Sequence, residues 1–212
     1  MELVMKVGLM IMKGAPLHRH HVRLLTELAM LYKNSIVLFG KNSWFSYDDR
    51  KEMVKNVFGD RFHFGEIEDI GGTTTRAWGV HVFKTVAEMH LCSDPNESVY
   101  LSGYVGGRRE DCFWLKDFFR NEEFRGDIEW DYIGNRCINR YLHAYDPATN
   151  TINDDAPQGD RYLHMVRDED HSHISATAIR TYLLLGDDYW KTMVPEVNHK
   201  LVQEAYMRGK NE

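Results

Sequence analysis

Gly8-Leu9-Met10-Ile11-Met12-Lys13-Gly14-Ala15-Pro16-Leu17-His18-Arg19-His20-His21 reads as a buried strand, a short turn holding Gly and Pro, and the first turn of a helix. Pro16 suits a helix start, where its fixed φ and missing N–H cost nothing. His18 and His21 lie three apart and so share one helix face. A helix start offers unpaired backbone N–H groups and a positive dipole end, both attractive to phosphate. Strand, turn, helix and two imidazoles at the anion-binding end describe a phosphate site. Outward from there, Val4 to Met12 is nearly all apolar, as in a parallel strand covered on both faces. His18 to Lys33 is the first helix, with Leu24, Leu25, Leu28, Leu31 and Tyr32 on its apolar stripe. Ser35 to Gly40 is a second buried strand, which completes a βαβ unit.

A second block, Ile174-Ser175-Ala176-Thr177-Ala178-Ile179-Arg180, lies near the other end. Ser175 can cap a helix N-terminus, with Thr177 and Arg180 on the same first turns. Hydroxyls, backbone N–H groups and a guanidinium then converge on a triphosphate. The first run resembles the G-x-F-x-P-x-H-x-G-H signature of the nucleotidyltransferase superfamily, with Gly8, Pro16, His18 and His21 matching without a gap. The second block resembles the I-S-x-T-x-I-R signature of the same superfamily. Within it the chain looks most like the nicotinamide mononucleotide adenylyltransferases of the archaeal type. Lys13 stands where that family has Arg, His20 replaces a Gly, and Gly14-Ala15 replace Phe-Gln. The resemblance covers about residues 1–110 and 170–206.

The resemblance implies a Rossmann-like α/β nucleotidyltransferase fold, a parallel sheet flanked by helices. It implies adenylyl transfer from ATP to nicotinamide mononucleotide, giving NAD and pyrophosphate. His18, His21, Lys13 and Arg180 would be catalytic, with His21 nearest the transferring phosphorus. ATP contacts would come from Met10, Met12, Gly103, Ser175, Thr177 and Arg180. Arg50, in an Asp48–Met53 segment similar to the family's G-E-R-x-x-M, would reach the mononucleotide phosphate. Trp78 would stack on the nicotinamide ring, and Thr75 stands where the family has an Asn three residues before that Trp. Tyr189 to Pro195 resembles the family's W-x-x-x-V-P segment. Magnesium would bridge phosphate oxygens, held mainly by substrate and water. Two rivals stand beside this reading. One is another transferase of the superfamily, using CTP or a different phosphate acceptor such as phosphopantetheine. The other is a nucleotide-sensing protein that kept the fold without the reaction.

Between the two blocks, Asp48 or Asp49 starts a helix through Val57, and Arg61 to Glu66 alternates as a third strand. A helix spans about Arg76 to Met89, and Ser98 to Gly103 is a fourth buried strand. Tyr104 to Arg109 follows at its carboxyl end, the edge where open parallel sheets bind ligands. Residues 110–125 read as a helix whose Phe113, Trp114, Phe118 and Phe119 serve as core or subunit contact, so a homo-oligomer stays open. Gly126 to Ile133 reads as a fifth strand. About 135–170 forms an insertion of loop and hairpin, with Arg136 to Tyr145 pairing against Arg161 to Val166. Ser175 to Leu185 is a helix ended by Gly186, and Asn198 to Tyr206 a terminal one, so about 175–208 is a C-terminal helical segment of one domain, 1–212.

The 212 residues and 43% hydrophobic content suffice for one α/β core. A net charge of −6 does not favour a general binder of nucleic acid, while a nucleotide enzyme needs only a local basic pocket. Three scattered cysteines, Cys92, Cys112 and Cys137, form no C-x-x-C pair and read as reduced cytoplasmic thiols. Glu2 and Lys6 interrupt the apolar N-terminus, so it reads as a strand rather than a signal peptide, and no run is long enough to span a membrane. Asp168, Asp170, His171 and His173 cluster before the second block. With no matching ligand set elsewhere, they read as a polar loop beside the phosphate site rather than a metal site.

Overall fold

In a computed structural model of the chain, the described residues are 4–42, 44–71, 77–78, 81–82, 85–86, 89, 98–106, 145–146, 151–152, 161–164 and 173–210. The expected helix over 110–125, the strand over 126–133, the three cysteines, Thr75, Arg108, Arg109, Asp168, Asp170 and His171 lie outside them.

Strand β1, Val4–Met12, is central, and helix α1, Arg19–Leu31, carries the chain to β2, Asn34–Gly40. The two strands pair in parallel from Val7↔Asn34 to Met12↔Phe39. Ser35 to Phe39 are all buried, as the unbroken apolar run requires of a strand covered on both faces. Leu24, Leu25 and Leu28 bury the inner stripe of α1. Leu31 ends the helix and faces outward, while Tyr32 turns in as the C-cap residue. A Cβ on Gly8 would stand 2.6 Å from Tyr32 Cδ2 and 2.7 Å from Leu28 Cδ1. Glycine is therefore what lets α1 close on β1.

Helix α2, Tyr47–Phe58, opens on a capping box. The Ser46 hydroxyl accepts from Asp49 N–H, and the Asp49 carboxylate accepts from Ser46 N–H. It ends at Gly59, with φ +62°. Strand β3, His63–Ile67, adds in parallel to β2. Positions 77–78, 81–82 and 85–86 are helical, within the span read from sequence. Strand β4, Ser98–Gly106, then lies on the other side of β1. Its pairing slips by one between Val7↔Leu101 and Gly8↔Gly103, which leaves Ser102 as the extra residue of a bulge.

In the insertion, positions 136–144 of the expected hairpin lie outside the described residues. Strand β5, Tyr145–Asp146, pairs antiparallel with β6, Thr151–Ile152. Strand β7, Arg161–His164, joins the main sheet, parallel to β4 from Gly103↔Arg161 to Gly106↔His164. The outer edge of β4 presents a row of backbone donors and acceptors, and a further parallel strand satisfies them. The sheet order is β3-β2-β1-β4-β7, a doubly wound arrangement that reverses between β1 and β4.

Helix α3, Ala176–Leu185, is capped by Ser175 and stopped by Gly186 in the left-handed conformation. Two short 3₁₀ turns, Asp188–Thr192 and Glu196–Asn198, lead into α4, His199–Gly209. Trp190, Met193 and Val194 share one apolar cluster with Met53 and Val54 of α2, Leu24 and Leu25 of α1, and Val202 of α4. Asn198 is fully buried yet satisfied. Its Nδ2 donates to Met53 O at 2.8 Å, and its Oδ1 accepts from Asn56 Nδ2 at 3.0 Å. Among the described residues no helix is long and apolar enough to cross a membrane.

Candidate active site

A doubly wound sheet leaves a crevice at the carboxyl ends of its strands where the strand order reverses. Here that point lies between β1 and β4. The β1–β2 ladder runs to Met12, whereas the β1–β4 ladder runs only to Leu9↔Tyr104. Beyond that pair both strands run on, β1 to Met12 and β4 to Gly106, without pairing to each other, and the turn Lys13–Leu17 follows β1 at this edge. Gly14 takes φ +58°, which favours glycine, and the Ala15–Pro16 peptide is cis. Pro16 lies inside this turn rather than at the first helical position, because α1 begins at Arg19 with His18 as its N-cap.

His18 Nδ1 accepts from the His21 N–H at 3.4 Å, a long contact at the helix cap. The two rings stack with centroids 3.7 Å apart and planes 18° from parallel. The shared face read from sequence thus becomes a ring pair. A neutral His18 must then carry its proton on Nε2. His20 points inward and is buried with Leu24, Leu25 and Leu28, its ring centroid 6.2 Å from that of His18.

The helix start is less open than a bare terminus. Of the four N–H groups that a helix leaves unpaired at its beginning, the Arg19 N–H donates to Met193 O at 2.9 Å and the His21 N–H to the His18 ring. The Arg19 side chain adds Nε to Thr192 O at 2.8 Å. The Trp190–Pro195 segment therefore holds α1 at its first turn. Nothing in the sequence pattern pointed to Arg19, because its bonds go to backbone carbonyls of a distant segment.

The second block reaches the same place. Arg180 Nη1 donates to Ala15 O at 2.7 Å, across 165 residues of sequence, and Nη2 to Thr177 Oγ1 at 3.4 Å. Desolvation lowers the pKa of this half-buried guanidinium. Ser175 Oγ accepts from Ala178 N–H at 3.1 Å, so the hydroxyl caps α3. Thr177 is exposed on the first turn of that helix. The Lys13 side chain is exposed at the sheet edge beside Gly40, where a Cβ would lie 3.8 Å from Lys13 Cγ.

Met10 and Met12 bury their side chains in the core, so any contact they make at the crevice is through backbone. Gly103, expected at the end of β4, sits inside the ladder between Gly8 and Arg161, since β4 continues to Gly106. Trp78 is half-buried on the helical stretch after β3, its ring centroid 6.0 Å from His81. His81 Nε2 lies 3.2 Å from Glu68 O, at the carboxyl end of β3.

Arg50 departs from its expected role. It is 1% exposed, although it was read as a cation reaching for a mononucleotide phosphate. Its Nε donates to Ser46 O at 3.1 Å, Nη1 to Lys13 O at 3.1 Å and Gly40 O at 2.5 Å, and Nη2 to Glu66 Oε1 at 2.9 Å. Those bonds use four of the five N–H donors of a guanidinium. Burial lowers its pKa, and the charge and hydrogen bond of Glu66 oppose that. Its Cζ also lies 5.1 Å from the Phe39 ring centre. Arg50 is thus spent on joining the ends of β1, β2 and β3 to the start of α2. Among the described residues no group of three or more His, Cys, Asp or Glu could hold a metal ion.

No protein-family model matches the chain, and no curated protein sequence matches it. Solved structures do. A Plasmodium falciparum nicotinic acid mononucleotide adenylyltransferase complexed with APC superposes with a TM-score of 0.51 at 14% identity, over 97% of this chain and 96% of that one. A bifunctional NMN adenylyltransferase/ADP ribose pyrophosphatase from Francisella tularensis gives 0.53 at 13% identity, over 98% of this chain. NadR protein in complex with NAD and AMP-PNP gives 0.52 at 17% identity, over 94%. This chain spans 54% and 48% of the latter two. The shared feature is the fold, the Rossmann-like α/β arrangement of nucleotide adenylyltransferases.

Proposed function

We propose that the chain transfers an adenylyl group from ATP to nicotinamide mononucleotide, giving NAD and pyrophosphate. One observation carries the reading. Two blocks distant in sequence, each suited to phosphate, meet through Arg180 and Ala15 beside the carboxyl end of the central strand. In the reaction, a phosphate oxygen of the mononucleotide attacks the α-phosphorus of ATP, and the bond to the β-phosphate oxygen breaks. The nucleophile is already an anion, so no general base is needed. Rate then comes from alignment and from charge placed where the pyrophosphate departs. His18 and His21 face the ATP phosphates, with His21 nearest the transferring phosphorus. Lys13 and Arg180 neutralise the leaving group. Ser175, as cap, opens α3 toward the outer phosphates, and Thr177 adds a hydroxyl. Met10, Met12 and Gly103 offer backbone only. Trp78 stacks on the acceptor ring. Arg50 holds the floor of the site rather than the acceptor phosphate. Magnesium, when bound with ATP, screens the phosphate charge.

A second reading, a nucleotide sensor without turnover, is favoured by the partial occupation of the α1 start by Met193 O and the His18 ring. Purified chain incubated with magnesium, ATP or CTP, and a panel of nicotinamide mononucleotide, nicotinate mononucleotide and phosphopantetheine separates the readings. Dinucleotide and pyrophosphate formed in equal amounts from ATP and a pyridine mononucleotide support transfer. Nucleotide binding without pyrophosphate supports the sensor, and product only with CTP or phosphopantetheine supports a different transferase.

A further inference from the structure

The geometry points to Arg50 as a positioning residue that acts on the phosphate site through Lys13, an inference that rests on the adenylyl-transfer reading. Lys13 follows Met12, whose pairing with Phe39 is the last of the β1–β2 ladder. The sheet therefore holds the chain one residue before it. Its carbonyl is held by Arg50 Nη1, which also holds the carbonyl of Gly40 at the end of the neighbouring strand. The backbone of Lys13 is thus pinned on both sides, just before Gly14 turns at positive φ. The lysine stem leaves a rigid base at the sheet edge while its ammonium stays exposed. Such a base aims a point charge that would otherwise sweep a wide arc. Arg50 is itself held from two further directions, by Ser46 O and by the Glu66 carboxylate. To touch an acceptor phosphate it would have to abandon bonds to strand ends while remaining 1% exposed. Its effect on the reaction therefore passes through the residue whose carbonyl it grips.

A double-mutant cycle on the full chain tests this. Arg50→Lys, Lys13→Met and the pair are compared for turnover, acceptor KM and ATP affinity, with thermal melts to show that each folds. Arg50→Lys should lower turnover on the order of 10²-fold when Lys13 is present, as small misplacements in a site do. In the Lys13→Met background the same change should cost less than about threefold, because residues acting as one unit are not additive. Acceptor KM should stay unchanged. Equal losses in both backgrounds, or a rise confined to acceptor KM, would mean that Arg50 meets the substrate itself and would overturn the inference. If Arg50→Lys does not fold, Glu66→Gln replaces it in the cycle; it loosens Nη2, leaves the three backbone bonds and should give a smaller loss coupled to Lys13 in the same way. A wild-type chain that binds ATP but transfers nothing ends the adenylyl-transfer reading alone. The cycle is then read in ATP affinity, where coupling upholds the role of Arg50 and additivity removes it. A chain that binds no ATP overturns both.

Discussion

Gly14→Ala should destabilise the chain by about 2–3 kcal/mol, from two separable causes. Gly14 has φ +58°, and an L-residue in the left-handed region costs roughly 1–2 kcal/mol. The added Cβ would also lie 3.1 Å from Phe39 Cε1 and 3.4 Å from Cδ1. Phe39 has little room to yield. It is fully buried, its ring lies nearly parallel to Phe64 at a centroid distance of 6.1 Å, and the Arg50 guanidinium sits 5.1 Å from its centre. A shift of a few tenths of an ångström is needed, which puts the overpacking cost near the low end of its range, about 1 kcal/mol. For a chain of this size each kcal/mol moves the melting point by about 2–4 °C, so the expected fall is about 4–12 °C. Gly14→Asn separates the causes. It keeps the Cβ contact but tolerates positive φ, so it should recover about 1 kcal/mol relative to Ala. Urea titration and thermal melts of the three proteins, without ligand, decide the matter. An alanine variant as stable as wild type, or an asparagine variant no better than alanine, would show that the turn is not held in the left-handed conformation.

The remaining expectations concern the reaction. His21→Ala should lower turnover by about 10²–10³-fold with the melting curve preserved, the scale of losing one transition-state contact; near wild-type turnover would take His21 out of the site. Trp78→Ala should weaken mononucleotide binding by about 1–3 kcal/mol, on the scale of a base–aromatic stack, while ATP binding holds; calorimetry showing equal losses for both ligands would make Trp78 structural. Arg180→Lys keeps the charge but cannot reproduce the planar fork that bridges Ala15 O and Thr177 Oγ1. On the proposed reaction, where the contact would strengthen as pyrophosphate departs, turnover should fall more than ATP affinity, and an unchanged turnover number would detach the second block from catalysis.

The parts of the fold legible in sequence are those governed by local rules. The nearly continuous apolar run of Val4 to Met12, broken by Lys6 alone, suits an inner parallel strand, and the structure gives β1 those bounds. Ser175 and Gly186 announced the ends of α3 by capping chemistry alone. Pro16 misled because a proline fits a turn as well as a helix start, and the bond it follows is decided by packing. The pairing of Arg161 to His164 with β4 was hidden for a related reason. An alternating or mixed strand carries no mark of whether its partner is the neighbouring strand in sequence or the free edge of β4. Arg50 shows the same limit at the site. The motif located the residue, but its partners are carbonyls of Lys13, Gly40 and Ser46, and a carbonyl looks alike under every side chain. His18, His21 and Arg180 could be placed near one another because capping and phosphate chemistry is displayed by side chains, and the structure sets His18 against His21 and Arg180 on the carbonyl of Ala15 in the same turn.

The bonds from Arg19 to Thr192 and Met193, and from Arg180 to Ala15, have a consequence for the order of assembly. Contacts spanning most of a chain are the slowest to close, because the intervening segment must be gathered first. On a ribosome, β1, α1 and β2 emerge before the segment that holds Arg180, Thr192 and Met193. The first turn of α1 and the loop before it stay without those partners until Arg180, Thr192 and Met193 have emerged. A chain truncated before that segment keeps the strands of the sheet but loses the bonds that hold the first turn of α1 and the loop before it.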